Sequence, residues 1–391
     1  MKILIVHNKY QLRSGEEKVL ENESRLLKEH GHKVDFVIFD NRSINSKFSK
    51  IRTGFFSFYN PASAKLIRKK IAILKPDVIH VHNFFPILSP SVFFRKTRGN
   101  IPVIMTIHNY RLICANAVLF RKNQICTKCV RKRFPIHGIV FRCYRNSFLQ
   151  TLNLVLLTAG HNFIGTWRKK IDRFIALTEF QRNTILNSSL NLKDHQIIVK
   201  PNFSYDKGLG NISKDDYFIY LGRLELDKGI DTLLSAFEGT EYKLKIFGGG
   251  SMAKVVTDIC NENNNMDFFG FKDSEHVLEQ LKFAKGLIFP SNNFEGFPMA
   301  ISEAFSCGTP VITSDIGSQA EIITDGFNGL HFRINDPEDL REKIEILSNT
   351  TDNLFNINAR KTYEKLYNDK RNYESLVNIY RELLVSDSDL N

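Results

Sequence analysis

Short apolar runs alternate with helical stretches along the whole chain, and this alternation constrains the fold more than any other feature. Residues 3–6 (ILIV) are too few for a helix and read as a buried strand. Ser14-Gly15-Glu16-Glu17 follows, with the Ser-x-x-Glu spacing of a capping box, in which hydroxyl and carboxylate satisfy free backbone donors. A helix continues to about His30, Gly31 stops it, and residues 34–38 form the next strand. Strands that are apolar throughout, separated by helices, imply a parallel sheet covered on both faces. Further strands fall at 78–81, 103–107, 173–177 and 197–199.

The pattern then stops and restarts. "KPNFSYDKGLGNISKDD" at 200–216 is polar and glycine-containing and reads as an interdomain linker. A second series opens with strand 217–221 (YFIYL). It continues through strands 244–247, 266–269 and 287–289, a helix at 298–306, strand 310–313 and a helix at 337–347. The expected architecture is α/β: two doubly wound, Rossmann-like domains facing across a cleft. The first spans 1–203, with a basic, cysteine-rich insertion at 111–170; the second spans 204–370. A last helix within 371–391 returns to the first domain. Ligands of such sheets bind at the carboxyl ends of the strands.

Charge separates the halves. Residues 1–200 hold 35 Lys+Arg and 11 Asp+Glu, a balance of +24; the rest hold 19 and 31, a balance of −12. Residues 78–171 contain no acidic residue and 15 basic ones, which implies an anionic partner for the first half. With 42% apolar and 25% charged residues the chain is globular rather than disordered. The N-terminal apolar run is too short for a signal peptide, and no uncharged run of eighteen apolar residues suggests a membrane span. The expected compartment is the cytosol.

"FEGFPMAISEAF" at 294–305 places Glu295 and Glu303 with seven residues between them. Pro298 suits the first turn of the helix that follows, where its missing N–H costs nothing. The amides of Phe297, Met299 and Ala300 would then form an anion site at the helix N-terminus. One carboxylate can accept hydrogen bonds from two adjacent hydroxyls, so a sugar cis-diol matches this pair. Spacing alone also allows two ordinary helix-face glutamates. "YLGRLELDKGID" at 220–231 adds Arg223 and Lys228 just after the first strand of the second series. A guanidinium fork and an ammonium there would neutralise a diphosphate.

Taken together, Glu295-x7-Glu303, Gly222-Arg223…Lys228-Gly229, "FGGG" at 247–250, "FFGF" at 268–271 and "GTPVITSDIGSQAEII" at 308–323 resemble the retaining glycosyltransferases of family 4, which have the GT-B fold. "VHNFFPILSPSVF" and "TIHNYRLIC" are similar to a bacterial branch that builds cell-surface polysaccharide, O-antigen or capsule. The resemblance implies an acceptor-side first domain and a second domain that binds a UDP- or GDP-sugar. By this resemblance Glu303 binds the ribose diol, and Glu295 contacts the donor sugar near the reacting carbon. Arg223 and Lys228 hold the leaving diphosphate, and no catalytic metal is needed. Gly15 lets the backbone approach the diphosphate, although Ser14-Gly15 departs from the family's usual pair of small residues. His108 faces the donor sugar. Phe247, Gly248, Gly249 and Phe271 form the base pocket, and Gly296, Phe297, Pro298 and Met299 line the helix tip. The implied reaction is transfer of a hexose-type sugar with retention.

Cys114, Cys126, Cys129 and Cys143 lie within thirty residues as C-x11-C-x2-C-x13-C. In a cytosolic chain this favours a structural zinc over disulfides, with four reduced thiols as the alternative. "SFLQTLNLVLLTAGHNFIGTWRKK" at 147–170 is apolar, interrupted by Asn153, Gly160, His161 and Asn162, and closed by Trp167 and a basic triplet. It reads as an interfacial helix with basic anchors, or as a core helix. A polyprenyl-diphosphate-linked or other glycolipid acceptor at the inner face of the cell membrane would account for the basic surface. A GT-B nucleotide-sugar hydrolase or epimerase is the nearest rival. A basic nucleic-acid-binding protein fits the charge but not the phosphate loops, so no nucleic acid partner is expected.

Overall fold

The structure is a computed structural model that describes residues 1–11, 15–94, 101–210 and 214–388, with side chains to residue 385. Ser14, the expected capping hydroxyl, lies outside the described residues, as does 211–213 of the linker. The chain divides into two compact units. One comprises Met1–Leu119, Cys126–Lys200 and the chain from Tyr373; the other comprises Phe120–Ile125 and Pro201–Asn372.

The first unit is a six-stranded parallel sheet. In chain order its elements are β1 (Lys2–Lys9), α1 (Gly15–Glu29), β2 (Lys33–Asp40), α2 (Lys47–Phe56), α3 (Pro61–Leu74), β3 (Val78–Val81) and β4 (Val103–Thr106). The hairpin β5 (Phe120–Arg121) and β6 (Gln124–Ile125) comes next in the chain and is grouped with the second unit. Then come α4 (Ile136–Val140), α5 (Phe148–Phe163), α6 (Thr166–Lys170), β7 (Arg173–Ala176), α7 (Glu179–Leu186) and β8 (Ile197–Val199). The strand order is β2-β1-β3-β4-β7-β8. Ile3 to Val6 are all fully buried, as expected of a central strand covered on both faces. On α1, Val19, Leu20, Leu26 and Leu27 repeat at helical spacing toward the sheet, and Glu23 falls on that same stripe. Gly31 ends the helix with φ +76°, the left-handed conformation that glycine adopts without strain.

The second unit repeats the plan. Its elements are β9 (Tyr217–Arg223), α8 (Ile230–Phe237), β10 (Lys243–Gly249), α9 (Ala253–Glu262), β11 (Met266–Gly270), α10 (Ser274–Phe283) and β12 (Gly286–Phe289). They continue with α11 (Met299–Ser306), β13 (Val311–Ser314), α12 (Gly317–Ile322), β14 (Gly329–Phe332), α13 (Pro337–Asn349) and α14 (Leu354–Thr362). The strands are again parallel, in the order β11-β10-β9-β12-β13-β14. The last helix, α15 (Asp369–Ser388), lays Leu376, Val377, Ile379, Tyr380 and Leu383 into the core of the first unit beside Ile3, Ile5 and Ile104. Each such side chain contributes roughly 1.5–3 kcal/mol by burial.

Two local expectations are corrected. α11 begins at Met299, so Pro298 is the residue before the helix (φ −69°, ψ 116°) rather than part of its first turn. α5 runs unbroken through Asn153, Gly160, His161 and Asn162, and the break comes at Gly165, whose φ is +78°. The amides and the imidazole that interrupt the apolar run are satisfied by tertiary partners. Asn153 donates to the Gly54 carbonyl, Asn162 donates to the Ser189 carbonyl, and His161 bonds Thr166 and the Phe58 carbonyl.

Candidate functional site

In the second unit the loops after β9 and β12 are tied together by Asp227. The Asn293 amide donates to its carboxylate at 2.5 Å, and the Asn292 N–H donates to its carbonyl at 3.0 Å. The loops meet so closely that a Cβ on Gly229 would stand 1.9 Å from the Pro290 carbonyl oxygen, and φ there is +68°. On this frame the Lys228 ammonium donates to Glu295 Oε1 at 2.5 Å, and the Ser291 hydroxyl donates to the same oxygen at 2.6 Å. Burial raises the Glu295 pKa. The Lys228 charge and hydrogen bond, the Ser291 hydroxyl and Arg223 outweigh it and hold the carboxyl below its usual value. Glu295 is therefore a carboxylate at neutral pH. Arg223 stands 3.7 Å from Asp227 with more than half of its side chain exposed. The structure thus brings Arg223, Lys228 and Glu295 into one cluster. Asp227, Ser291 and Asn293, which build it, carry no sequence motif that points to them.

Glu295 and Gly296 lead into α11, where Phe297 and Met299 are buried. The first amides of an eight-residue helix have no partner within the helix itself. Glu303 lies little more than one turn in, at the end of that turn, and is buried. At the end of β10 Gly248 is obligatory. Gly248 has φ +138°, and a Cβ there would lie 1.8 Å from the Gly222 carbonyl oxygen. A Cβ on Gly249 would lie 2.4 Å from the ring of Phe271, which is 81% exposed. A flat apolar ring is thus held open to solvent over bare backbone, which suits stacking of a planar base. The Phe247 ring instead is buried, stacked at 4.8 Å on Phe269. Glu225, another residue without a motif, receives the Ser251 amide and hydroxyl just past these glycines.

Gly15 and His108 belong to the first unit. Gly15 opens α1 and is exposed. Beside it Glu16 is buried, and burial raises its pKa to about 8 against the opposing pull of Tyr10 and Arg111. His108 stands two residues past β4, partly exposed, and burial of its ring lowers its pKa to about 3. It is the last member of a buried network. His82 Nδ1 and His108 Nε2 are 3.0 Å apart, His82 Nε2 lies 3.5 Å from Glu23 Oε2, and Lys200 donates to Glu23 Oε1 at 2.6 Å. The sequence contained a signal for this network. His-Asn occurs at 7–8, 82–83, 108–109 and 161–162; the first three stand at the carboxyl ends of the adjacent strands β1, β3 and β4, and the fourth lies on α5. The asparagines shape the loops: Asn83 donates to the Asn8 carbonyl, Asn8 accepts from the amides of Ile87 and Leu88, and Asn109 donates to Tyr10.

None of the four clustered cysteines is in a disulfide. Cys129 lies near enough to Cys114, Cys143 and Cys126 for each to help raise its pKa, after burial, to about 11. Among the described residues, however, the His, Cys, Asp or Glu ligand atoms that gather within 4.8 Å of one another are those of Glu23, His80 and His82, not the cysteines. Four thiolates on zinc stand about 3.8 Å apart, so the sulfurs as placed are wider than a closed site. Trp167, which closes the apolar stretch at 147–170, is fully buried and stacks on Phe84. Among the described residues no helix is long and apolar enough to cross a membrane.

Comparison with known proteins bears on both units. Residues 13–203 match the model for "Glycosyltransferase Family 4", and residues 202–367 match "Glycosyl transferases group 1". Among curated relatives, the O-antigen chain mannosyltransferase C of Escherichia coli is 28% identical over 44% of this chain and 48% of its own. The capsular polysaccharide biosynthesis glycosyltransferase CapM of Staphylococcus aureus is 24% identical over 53% of each. The chain spans about half the length of the curated relatives it matches. Among solved structures, a sucrose-phosphate synthase from Thermosynechococcus elongatus aligns with a TM-score of 0.73 at 17% identity, over 98% of this chain and 99% of that one. HepE of Anabaena, solved in complex with UDP-glucose, aligns with 0.65 at 15% identity, over 99% and 100%. The chain is therefore built from a glycosyltransferase family 4 domain followed by a group 1 glycosyl transferase domain, in the GT-B fold.

Proposed function

We propose that the chain is a retaining glycosyltransferase that moves a hexose-type sugar from a UDP- or GDP-sugar to a lipid-linked saccharide during cell-surface polysaccharide synthesis. The observation that carries this reading is the cluster of Arg223, Lys228 and Glu295 at the carboxyl ends of β9 and β12. An ammonium has three donors, and Lys228 spends one on Glu295, so others remain for a diphosphate oxygen. Arg223 supplies a second cation at the same loop, and the two would stabilise the negative charge that grows on the leaving group. No catalytic metal enters this scheme. Glu295 would accept from the donor sugar's hydroxyls, Glu303 from the ribose diol, and Phe271 would stack on the base. Gly248, Gly249 and the helix tip at 296–299 would let the backbone of the second unit approach the donor closely. The relatives in O-antigen and capsule synthesis and the UDP-glucose complex of HepE support the direction of this reading.

The acceptor is assigned from the first unit's surface. Leu149 and Phe163 on α5, and Phe48 and Phe55 on α2, are each at least 74% exposed. Asn153 ties the two helices through Ser57 Oγ and the Gly54 carbonyl. A cavity of about 390 Å³ opens among Phe134, Leu156, Phe163, Arg133 and Arg168. Apolar rings flanked by guanidinium groups suit the inner face of an anionic membrane and a polyprenyl-diphosphate carrier. Zinc on Cys114, Cys126, Cys129 and Cys143 is proposed as structural only and would draw the sulfurs together. Less than about 0.2 zinc per chain in protein purified without chelator would end that assignment.

A thermal-shift series with UDP, GDP and their sugar conjugates tests the donor site. A ligand at 100 times its Kd stabilises by about 2.7 kcal/mol. Absence of a shift with all of them would overturn the proposal, and turnover of donor without acceptor would redirect it to a hydrolase.

A further inference from the structure

The buried network behind His108 has no part in the scheme above, and its members are costly to bury. Glu23 and Lys200 are each 1% exposed, and their ion pair at 2.6 Å sits beneath the carboxyl ends of β3 and β4. A buried pair of this kind is weak evidence for stability, because desolvation offsets the attraction. The Lys200 ammonium already supplies a cation to Glu23, so this group of ligand atoms is not vacant for a metal. The pair has a different use in the orientation it imposes on two imidazoles.

A carboxylate only accepts hydrogen bonds. Glu23 Oε2 and His82 Nε2 are both buried without a hydrogen-bond partner, and they face each other at 3.5 Å. A small closure satisfies both atoms only if His82 carries its proton on Nε2. Burial keeps His82 neutral, so its Nδ1 then holds a lone pair. That lone pair, 3.0 Å from His108, accepts from His108 Nε2–H. His108 is neutral as well, so its Nδ1 is left as an acceptor. His80 packs tilted against His82 at 4.2 Å between ring centroids, with both nitrogens bonded, to Tyr380 and Thr106. It therefore braces the ring without competing for the proton.

We propose that Glu23, held by Lys200, fixes the tautomer of His82 and through it that of His108. Glu23 and His82 are in that case positioning residues that make His108 Nδ1 a hydrogen-bond acceptor. Such a nitrogen recognises a hydroxyl and is repelled by a phosphate oxygen. This assignment rests on the reading of His108 as a donor-sugar contact, and it specifies that the contact is to a sugar hydroxyl rather than to the diphosphate.

The test is the ring-nitrogen spectrum of the full chain labelled with [15N]histidine. A His108→Gln variant identifies the His108 signals among the 11 histidines. The expected result is a protonated Nε2 and an unprotonated Nδ1 on His108. Glu23→Gln alone would strand the Lys200 charge and could unfold the unit, so the informative variant is Glu23→Gln/Lys200→Met, which removes both charges together. In that folded variant His108 should become a mixture of tautomers, a change that a merely structural role for the pair would not produce. A proton on Nδ1 of His108 in the wild type would overturn the proposal, as would an unaltered tautomer in the folded double variant. The spectrum needs no substrate. Failure of the wild type to bind UDP-glucose or GDP-mannose would sink the donor-site reading while leaving the tautomer result standing.

Discussion

Breaking the Lys228–Glu295 pair separates the two jobs assigned to it. The charges are 2.5 Å apart, and at an effective permittivity near 20 they attract by about 7 kcal/mol. Desolvation takes back most of this, and the side chains retain 15% and 18% exposure, so the net coupling should be about 2 kcal/mol. Lys228→Met leaves Glu295 with the Ser291 hydroxyl and the field of Arg223, and should destabilise the loop by about 2–3 kcal/mol. Glu295→Gln should cost about 1 kcal/mol, and the double variant should recover the difference. The single tryptophan, Trp167, lies in the first unit and is blind to this change. Hydrogen exchange of peptides covering 217–229 and 286–306 is therefore the appropriate measurement, because it reads local opening energies. Effects that add to within about 0.5 kcal/mol would refute the coupling. Binding gives the second arm. Lys228→Met should weaken UDP about 10- to 100-fold, the worth of a charged hydrogen bond, whereas Glu295→Gln should not weaken it. Equal losses for the two variants would refute the division of sugar to Glu295 and phosphate to Lys228.

Other consequences are as direct. Gly248→Ala meets both a positive φ, worth roughly 1–2 kcal/mol, and the Gly222 carbonyl at 1.8 Å. It should cost the second unit at least about 3 kcal/mol, and a wild-type melting curve would contradict that geometry. Glu16 has a folded pKa of about 8 against 4.5 unfolded, so the folded state binds the extra proton and this group's contribution to stability is lost as pH rises from about 4.5 to about 8. Glu16→Gln should flatten that part of the curve, and an unchanged slope across this window would dispose of the shift. Leu149→Glu with Phe163→Glu should abolish salt-sensitive binding to anionic liposomes without lowering Tm, since both side chains are exposed. Trp167→Ala should do the reverse, at about 3–5 kcal/mol, because its ring is enclosed. Liposome binding that ignores the double charge substitution would remove the membrane surface from the proposal.

Strand positions were legible in the sequence because a strand covered on both faces is apolar nearly throughout: 3–6 and 287–289 are so at every position, and His80 alone interrupts 78–81. The restart after 216 was legible for the same reason, as was the cluster around Arg223, Lys228 and Glu295, whose members follow strand ends. Helix α2 was not legible: none of its residues is buried, so no periodic apolar stripe marks it. Other outcomes were decided only when distant residues met. Trp167 stands beside three basic residues in the sequence, yet Phe84 and Phe93 enclose it. Asp227 and Asn293 are 66 positions apart and acquire a role only where their loops touch. Glu23, on the core-facing stripe of a helix, looks like an error of patterning until Lys200, 177 residues away, supplies its counter-charge. Apolar periodicity is a local property that a chain carries in its order of residues. Pairing of buried polar groups depends on atoms brought within 3 Å across the fold, and only the tertiary structure determines which ones those are.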